Sequence, residues 1–147
     1  MATTVSIADP RELAAEIVTV HADDRGWLDA FAEALESSRN GHALGRVLAV
    51  WALSQTDAGD AFGVSRQAVS KWMATGVPSE RAVAIADLAA ATDILVRHLS
   101  RDRISAVVRR PAANLGSRSL LDVLATSGAR AVLEACLEMF AFERAQA

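Results

Sequence analysis

The sequence predicts an all-α protein. Its 147 residues include 5% aromatic residues and no tyrosine, and alanine is abundant, a composition that favours helices over strands. Apolar residues recur every three or four positions, and Gly, Pro or Ser residues separate these periodic stretches. We expect three segments: an acidic helical segment over residues 1–40, a helix-turn-helix bundle with a connector helix over 41–99, and a small helical domain over 100–147.

The N-terminal part of the chain contains three predicted helices. The first begins at Asp9, a capping residue, followed by Pro10 at the first helical position. The second should begin near Asp24 and end at the Ser-Ser-Arg-Asn-Gly sequence of residues 37–41. A third, from about His42 to Leu53, should support the helices that follow. The first 38 residues contain eight acids and two bases, so this end of the chain is acidic.

The stretch from Ser54 to Trp72 has the features of a helix-turn-helix. Ser54 and Asp57 match the capping box of a first short helix. Gly59 lies where a small side chain would let two helices cross closely, and Gly63 can adopt the positive φ that a tight turn requires. Ser65 can cap the second helix. This spacing predicts two short helices joined by a turn.

The second helix of this pair should have two different faces. Val69 and Trp72 lie three residues apart and should face the core. The opposite face carries the candidate DNA-contacting residues, namely Ser65, Arg66, Gln67, Ser70 and Lys71. Arginine can bond guanine and glutamine can bond adenine through two hydrogen bonds each, while serine and lysine can hold phosphates. The pattern therefore favours operator DNA as a partner over an ordinary amphipathic helix pair.

The rest of the chain continues as helices. Gly76 and Pro78 should end the second motif helix, and a long alanine-rich connector helix should follow over residues 79–99. A short basic helix is expected over 101–110, before Pro111. The remaining expected features are a capping box at Ser119 and Asp122, and a last helix after Gly128 with an apolar face of Ala129, Val132, Leu133, Cys136, Leu137 and Phe140.

Charge and composition restrict the class of protein. The formal net charge is −3, but six bases and one acid lie between Arg97 and Arg118, and this run could be a solvated face, a phosphate contact or the rim of a protein interface. Cys136 is the only cysteine, and no apolar run is long enough to span a membrane. No phosphate-binding glycine loop, nucleophile elbow or paired-histidine spacing is present. We expect a cytoplasmic protein that is not an enzyme and uses no cofactor or metal.

The order of features after residue 81 is more specific than helices alone. It consists of Asp87-Leu88-Ala89, an alanine-rich helix, Arg110-Pro111-Ala112-Ala113-Asn114-Leu115-Gly116, Ser119-Leu120-Leu121-Asp122-Val123-Leu124 and Thr126-Ser127-Gly128-Ala129. With the preceding motif, this resembles the Xre/MbcA/ParS antitoxin family over roughly residues 45–140. The chain departs from the family pattern at three places: Val107-Val108 where a tryptophan is usual, Ser117 for a second glycine, and Leu120 for a proline.

The resemblance implies a type II antitoxin. Such a protein binds a RES-domain toxin that consumes NAD or transfers ADP-ribose, and it represses its own operon. The implied toxin-contacting residues are Arg109, Arg110, Asn114, Arg118, Phe140, Phe142 and Arg144. A homodimer that forms a hetero-oligomer with the toxin is expected, with self-association through residues 79–99 or the C-terminal helices. The alternative is a free-standing repressor whose C-terminal helices only dimerise.

Overall fold

The chain folds as a set of α-helices, which confirms the prediction of an all-α fold. The structure, a computed structural model, describes residues 9–141. The only β-pairing within that range is a single bridge between Ala112 and Arg118. The helices are α1 (Pro10–Val20), α2 (Arg25–Trp51), α3 (Gln55–Phe62), α4 (Arg66–Thr75), α5 (Ala82–His98), α6 (Arg101–Arg109), α7 (Leu120–Ser127) and α8 (Ala129–Met139), with 3-10 turns at Ser79–Arg81 and Ala113–Leu115.

The chain divides into two compact units, residues 1–35 and residues 36–147, here the first unit and the second unit. In the first unit, the carboxylate of Asp9 caps α1 by accepting a hydrogen bond from the Arg11 amide, and Pro10 is the first helical residue, as predicted. No residue of α1 is buried. Local hydrogen bonds, not a core, therefore define this helix.

The predicted break at residues 37–41 is wrong, because α2 continues through it to Trp51. The glycine there serves close packing. A Cβ at Gly41 would lie 2.6 Å from the carbonyl oxygen of Trp72, closer than two such atoms can approach. The Ser37 hydroxyl donates to the Val77 carbonyl at 2.8 Å, and the Val77 amide donates to the Ser37 carbonyl at 3.1 Å. Polar residues and a glycine that suggest a loop are thus the contact surface for the end of α4.

The second unit has two apolar cores. The larger core combines α2 with the C-terminal helices, and its members are Val47, Val50, Trp51, Leu88, Ala91, Leu95, Ile104, Val108, Leu120, Val123, Leu124, Ala129, Val132, Ala135 and Cys136. The smaller core lies under the motif helices and contains Leu44, Leu48, Ala58, Val69, Trp72, Val77 and Ile85. Because α2 and α5 contribute to both cores, the two predicted segments 41–99 and 100–147 share their apolar interior. The assignment of a separate role to each segment stays a prediction.

Trp51 is the central side chain of the larger core. It is fully buried, and its indole N–H donates to the Thr92 hydroxyl at 3.0 Å. The Thr92 hydroxyl in turn donates to the Leu88 carbonyl at 2.7 Å. A buried polar group costs free energy unless it is paired, and this chain of two bonds pairs the indole N–H and the hydroxyl. The contact fixes the end of α2 against α5.

The expected face of α8 is mostly correct. Ala129, Val132 and Cys136 are buried, whereas Leu137 is exposed.

The expected capping box of α7 is present, since the Ser119 hydroxyl accepts from the Asp122 amide at 3.1 Å and the Asp122 carboxylate accepts from the Ser119 amide at 2.9 Å.

Candidate nucleic-acid and partner interfaces

The α3–α4 pair has the local geometry that its sequence predicts. The Ser54 hydroxyl accepts from the Asp57 amide at 3.0 Å and the Asp57 carboxylate accepts from the Ser54 amide at 3.1 Å, which completes the capping box. Gly63 ends α3 with φ 68°, in the left-handed region where a side chain is unfavourable. The Ser65 hydroxyl accepts from the Ala68 amide at 3.1 Å and caps α4.

Gly59 allows α4 to begin close to α3. A Cβ on Gly59 would lie 2.7 Å from the Val64 carbonyl oxygen and 3.3 Å from the Arg66 nitrogen. The close approach predicted from the sequence is therefore present, and it involves the start of α4. No side chain larger than hydrogen fits there unless the helices separate.

The two faces of α4 are also as predicted. Val69 is fully buried and Trp72 is buried, with the Trp72 ring edge-on to Phe62 at 6.1 Å and the Arg81 guanidinium 5.5 Å from its ring centre. The residues proposed for DNA contact are all exposed, namely Ser65, Arg66, Gln67, Ser70 and Lys71. The Ser65 hydroxyl already accepts a hydrogen bond from the Ala68 amide. A ligand that contacts Ser65 would therefore contact the N-terminus of α4 as well.

Gln55 is a neighbour of this face that the sequence did not predict. It is the first residue of α3 and lines one shallow cleft together with Arg66, Gln67 and Ser70. The cleft joins side chains that can donate and accept hydrogen bonds, which suits the edge of a base or a phosphate. The sequence places this glutamine directly after the N-cap of the first motif helix, and that position was the signal from which Gln55 could have been predicted.

Two of the predicted partner-binding residues, Arg109 and Arg118, are exposed but already bond to groups of their own chain. Arg109 donates to the carbonyl oxygens of Trp51 and Ala52 at 2.9 and 2.6 Å. Arg118 donates to the Leu115 carbonyl at 3.1 Å and to the hydroxyls of Thr126 and Ser127 at 2.9 and 3.3 Å. Both guanidinium groups thus stabilise turns of their own chain.

The remaining predicted partner contacts differ in accessibility. Arg110 and Asn114 are exposed. Phe140 is partly buried and stacks on the His98 ring, with 4.2 Å between ring centres and an angle of 8°. Phe142 and Arg144 lie outside the described residues.

Hydrogen bonds or burial shift the pKa of three side chains. The bonds from Ser54 lower the pKa of Asp57, and those from Ser119 lower the pKa of Asp122, because they stabilise the charged carboxylate. Burial raises the pKa of the Cys136 thiol to about 12. A buried thiol in this state is a core side chain rather than a nucleophile.

Neither a metal site nor a membrane-spanning helix is found within residues 9–141. Within this range no group of three or more His, Cys, Asp or Glu side chains is arranged to hold a metal ion. No helix in the same range is long and apolar enough to cross a membrane.

Comparison with known proteins shows that this chain is similar in fold to a chain of one solved structure. No protein-family model and no curated protein sequence matches the chain. A chain of the crystal structure of the M. tuberculosis MbcT-MbcA toxin-antitoxin complex matches with a TM-score of 0.56 and 23% identity, over 67% of this chain and 91% of that chain. At this level of identity, the likeness shows that the protein has the fold of a chain found in a toxin–antitoxin complex.

Proposed function

We propose that this protein is a type II antitoxin that binds a RES-domain toxin and represses its own operon by binding operator DNA. The observation that carries the proposal is the exposed polar face of α4, held over a core of Val69 and Trp72 next to a left-handed turn at Gly63. The fold shared with a chain of a toxin–antitoxin complex supports the antitoxin part. The resemblance of the C-terminal sequence to the Xre/MbcA/ParS family supports the RES class of toxin.

DNA binding would use the N-terminal half of α4. Arg66 and Gln67 are its first two residues, and both side chains are exposed. In a major groove, the fork-shaped guanidinium of an arginine can form two hydrogen bonds with guanine, and the amide of a glutamine can form two with adenine. Lys71, one turn further along the exposed face, would contact a phosphate.

One copy of α4 reads too few bases for useful specificity, so we propose that the protein acts as a dimer. The helix α5, one of the elements expected to dimerise, buries Ile85, Leu88 and Leu95 within its own chain and exposes Val83 and Val96. The first unit exposes a larger set of apolar side chains, namely Leu13, Val18, Val20, Trp27, Phe31 and Leu35.

A second copy is the occupant that suits this apolar face of the first unit. Asp29 and Glu33 lie on the side of α2 opposite Trp27 and Phe31 in the helical repeat. Two such faces can therefore meet without bringing these acids together. The five apolar side chains that share a side of their helices, Leu13, Val20, Trp27, Phe31 and Leu35, would bury somewhat under about 1,000 Å² in total from the two copies, near the minimum for a specific interface.

A free-standing repressor is the second candidate function. It is favoured by the intramolecular bonds of Arg109 and Arg118, because two residues expected to contact a toxin already have partners within the chain. Both candidates require α4 to bind DNA. Only the antitoxin requires a stable complex with a second protein.

DNA binding is tested with a duplex that covers the region immediately upstream of the coding sequence. Arg66→Ala or Gln67→Ala should weaken specific binding by about 1–3 kcal/mol. Lys71→Ala should weaken binding to all sequences and lower the salt slope by about one unit. Arg39→Ala, an exposed arginine paired with Glu36, is the matched control. Equal affinity for the three variants and the control would exclude α4 as the DNA-reading helix.

The antitoxin part is tested by co-expression with a RES-domain protein encoded next to this gene. Co-purification of the two proteins and restored growth of cells that express the RES-domain protein are the expected results. Operator binding without either result would leave the free-standing repressor as the function.

A further inference from the structure

The guanidinium of Arg109 joins two parts of the second unit that are far apart in sequence. One nitrogen, Nη1, donates to the carbonyl oxygens of Trp51 and Ser105, each at 2.9 Å. The other, Nη2, donates to the carbonyl oxygen of Ala52 at 2.6 Å. Trp51 is the last residue of α2, and the last carbonyls of a helix have no partner within it. Arg109 therefore caps α2 from the end of α6.

The corner that Arg109 binds has an unfavourable backbone conformation. Ala52 has φ 54°, in the left-handed region that L-residues avoid. The Ala52 amide bonds back to the Ala49 carbonyl at 3.3 Å, and the Leu53 amide bonds to the Leu48 carbonyl at 2.9 Å. This is the helix ending in which glycine is the usual residue. Such a conformation persists where the surrounding structure holds it, and Arg109 binds both carbonyls of the corner.

The same corner determines where α3 begins. Ser54 caps α3 two residues after Ala52, and Gln55 is its first residue. Gln55 shares a cleft with the exposed residues at the start of α4. A shift of the corner would therefore move Gln55 relative to the proposed DNA-reading side chains.

We propose that Arg109 is a positioning residue for DNA binding, which fixes the start of α3 by holding the Trp51–Ala52 corner. The proposal rests on the proposed DNA binding by α4. It gives Arg109 a different role from the toxin contact that the sequence resemblance implies. In this role the guanidinium binds carbonyl oxygens of its own chain and contacts no phosphate.

The test measures binding of the full chain to the upstream duplex over a range of salt concentrations. Arg109→Ala should weaken binding roughly tenfold and leave the salt slope unchanged. Loss of a phosphate contact would instead lower the slope by about one unit. Adding Ala52→Gly to the Arg109→Ala variant should restore most of the affinity, because glycine adopts this φ without a Cβ penalty.

The substitution Arg109→Lys separates the geometry of the fork from its charge. Lysine keeps the positive charge but lacks the planar fork that spans two adjacent carbonyls. The Arg109→Lys variant should therefore bind DNA as weakly as Arg109→Ala. Full affinity in Arg109→Lys would indicate a role for the charge alone and overturn the proposal.

Two further variants separate this proposal from the proposed function. Arg103→Ala, an exposed arginine of the same helix, is the control, and Arg66→Ala reports on DNA binding itself. Weaker binding in Arg66→Ala with unchanged binding in Arg109→Ala would overturn the positioning role and keep DNA binding. Unchanged binding in both would remove the DNA-binding function.

Folding of each variant is followed by circular dichroism. If Arg109→Ala alone melts below the assay temperature, the double variant with Ala52→Gly is measured below its own melting temperature. Weak binding by that folded double variant would overturn the proposal, and near-native binding would support it.

Discussion

The two units of this chain use apolar residues in opposite ways. In the second unit, Trp51 and Leu44 are completely buried and belong to continuous cores. In the first unit, α1 buries no residue, and Trp27 and Phe31 remain 38% and 37% exposed. Isolated helices as short as α1 are marginal in water. The difference indicates that the second unit is stabilised by its own core, whereas the described residues of the first unit contain no comparable core.

Aromatic stacking partly replaces a core in the first unit. The His21 and Trp27 rings stack with 3.4 Å between their centres, and Trp27 and Phe31 follow at 5.3 Å. These contacts align three rings near the start of α2. An aromatic pair contributes only about 0.5–1.5 kcal/mol beyond the area it buries, so the stack orders the face more than it stabilises the fold.

The largest expected effect contrasts a tryptophan from each unit. Trp51→Ala should lower the free energy of unfolding by about 3–5 kcal/mol, because it leaves a cavity and removes the partner of the Thr92 hydroxyl. Trp27→Ala, the matched control, should lower it much less. Urea unfolding followed by circular dichroism measures both. Similar losses would show that the first unit contributes equally to the stability of the chain.

The next effect compares two glycines of α2. Gly41→Ala should destabilise the protein by about 1–3 kcal/mol, because the new Cβ would lie 2.6 Å from the Trp72 carbonyl oxygen. Gly45→Ala should instead stabilise it by about 0.5–1 kcal/mol, since the nearest atom to its Cβ is the Met73 sulfur at 4.0 Å. Melting temperatures of the two variants test this. A stabilising Gly41→Ala would contradict the close contact between α2 and α4.

The smallest effect on stability is expected in the first unit. The double variant with Leu13→Glu and Phe31→Glu should change the free energy of unfolding by no more than about 0.5 kcal/mol per chain, since both side chains are substantially exposed. This is measured at a concentration where the protein is monomeric. The same variant should no longer dimerise, which sedimentation velocity measures at micromolar concentration. Val83→Glu, a change at an exposed apolar residue of α5, is the control. A dimer that survives in the double variant would place self-association elsewhere.

The sequence alone predicted the local features of the candidate site. The two capping boxes at Ser54 and Ser119, the turn at Gly63 and the buried face of Val69 and Trp72 are all present. Each depends on residues three or four positions apart, or on the conformational freedom of one glycine. Such interactions are encoded in short stretches of sequence, and the helical repeat places the exposed face of α4 without further information.

Only the tertiary structure showed what residues 37–41 and Arg109 do. Ser37 and Gly41 resemble a loop in sequence, but they remain helical because they pack against the end of α4. Arg109 resembles a surface charge, but it binds the carbonyls of Trp51 and Ala52. In both cases the partner is distant in the sequence, so no local pattern can report it. The helices and their faces follow from local hydrogen bonding and periodicity, whereas the role of a glycine or an arginine follows from the distant backbone that it meets.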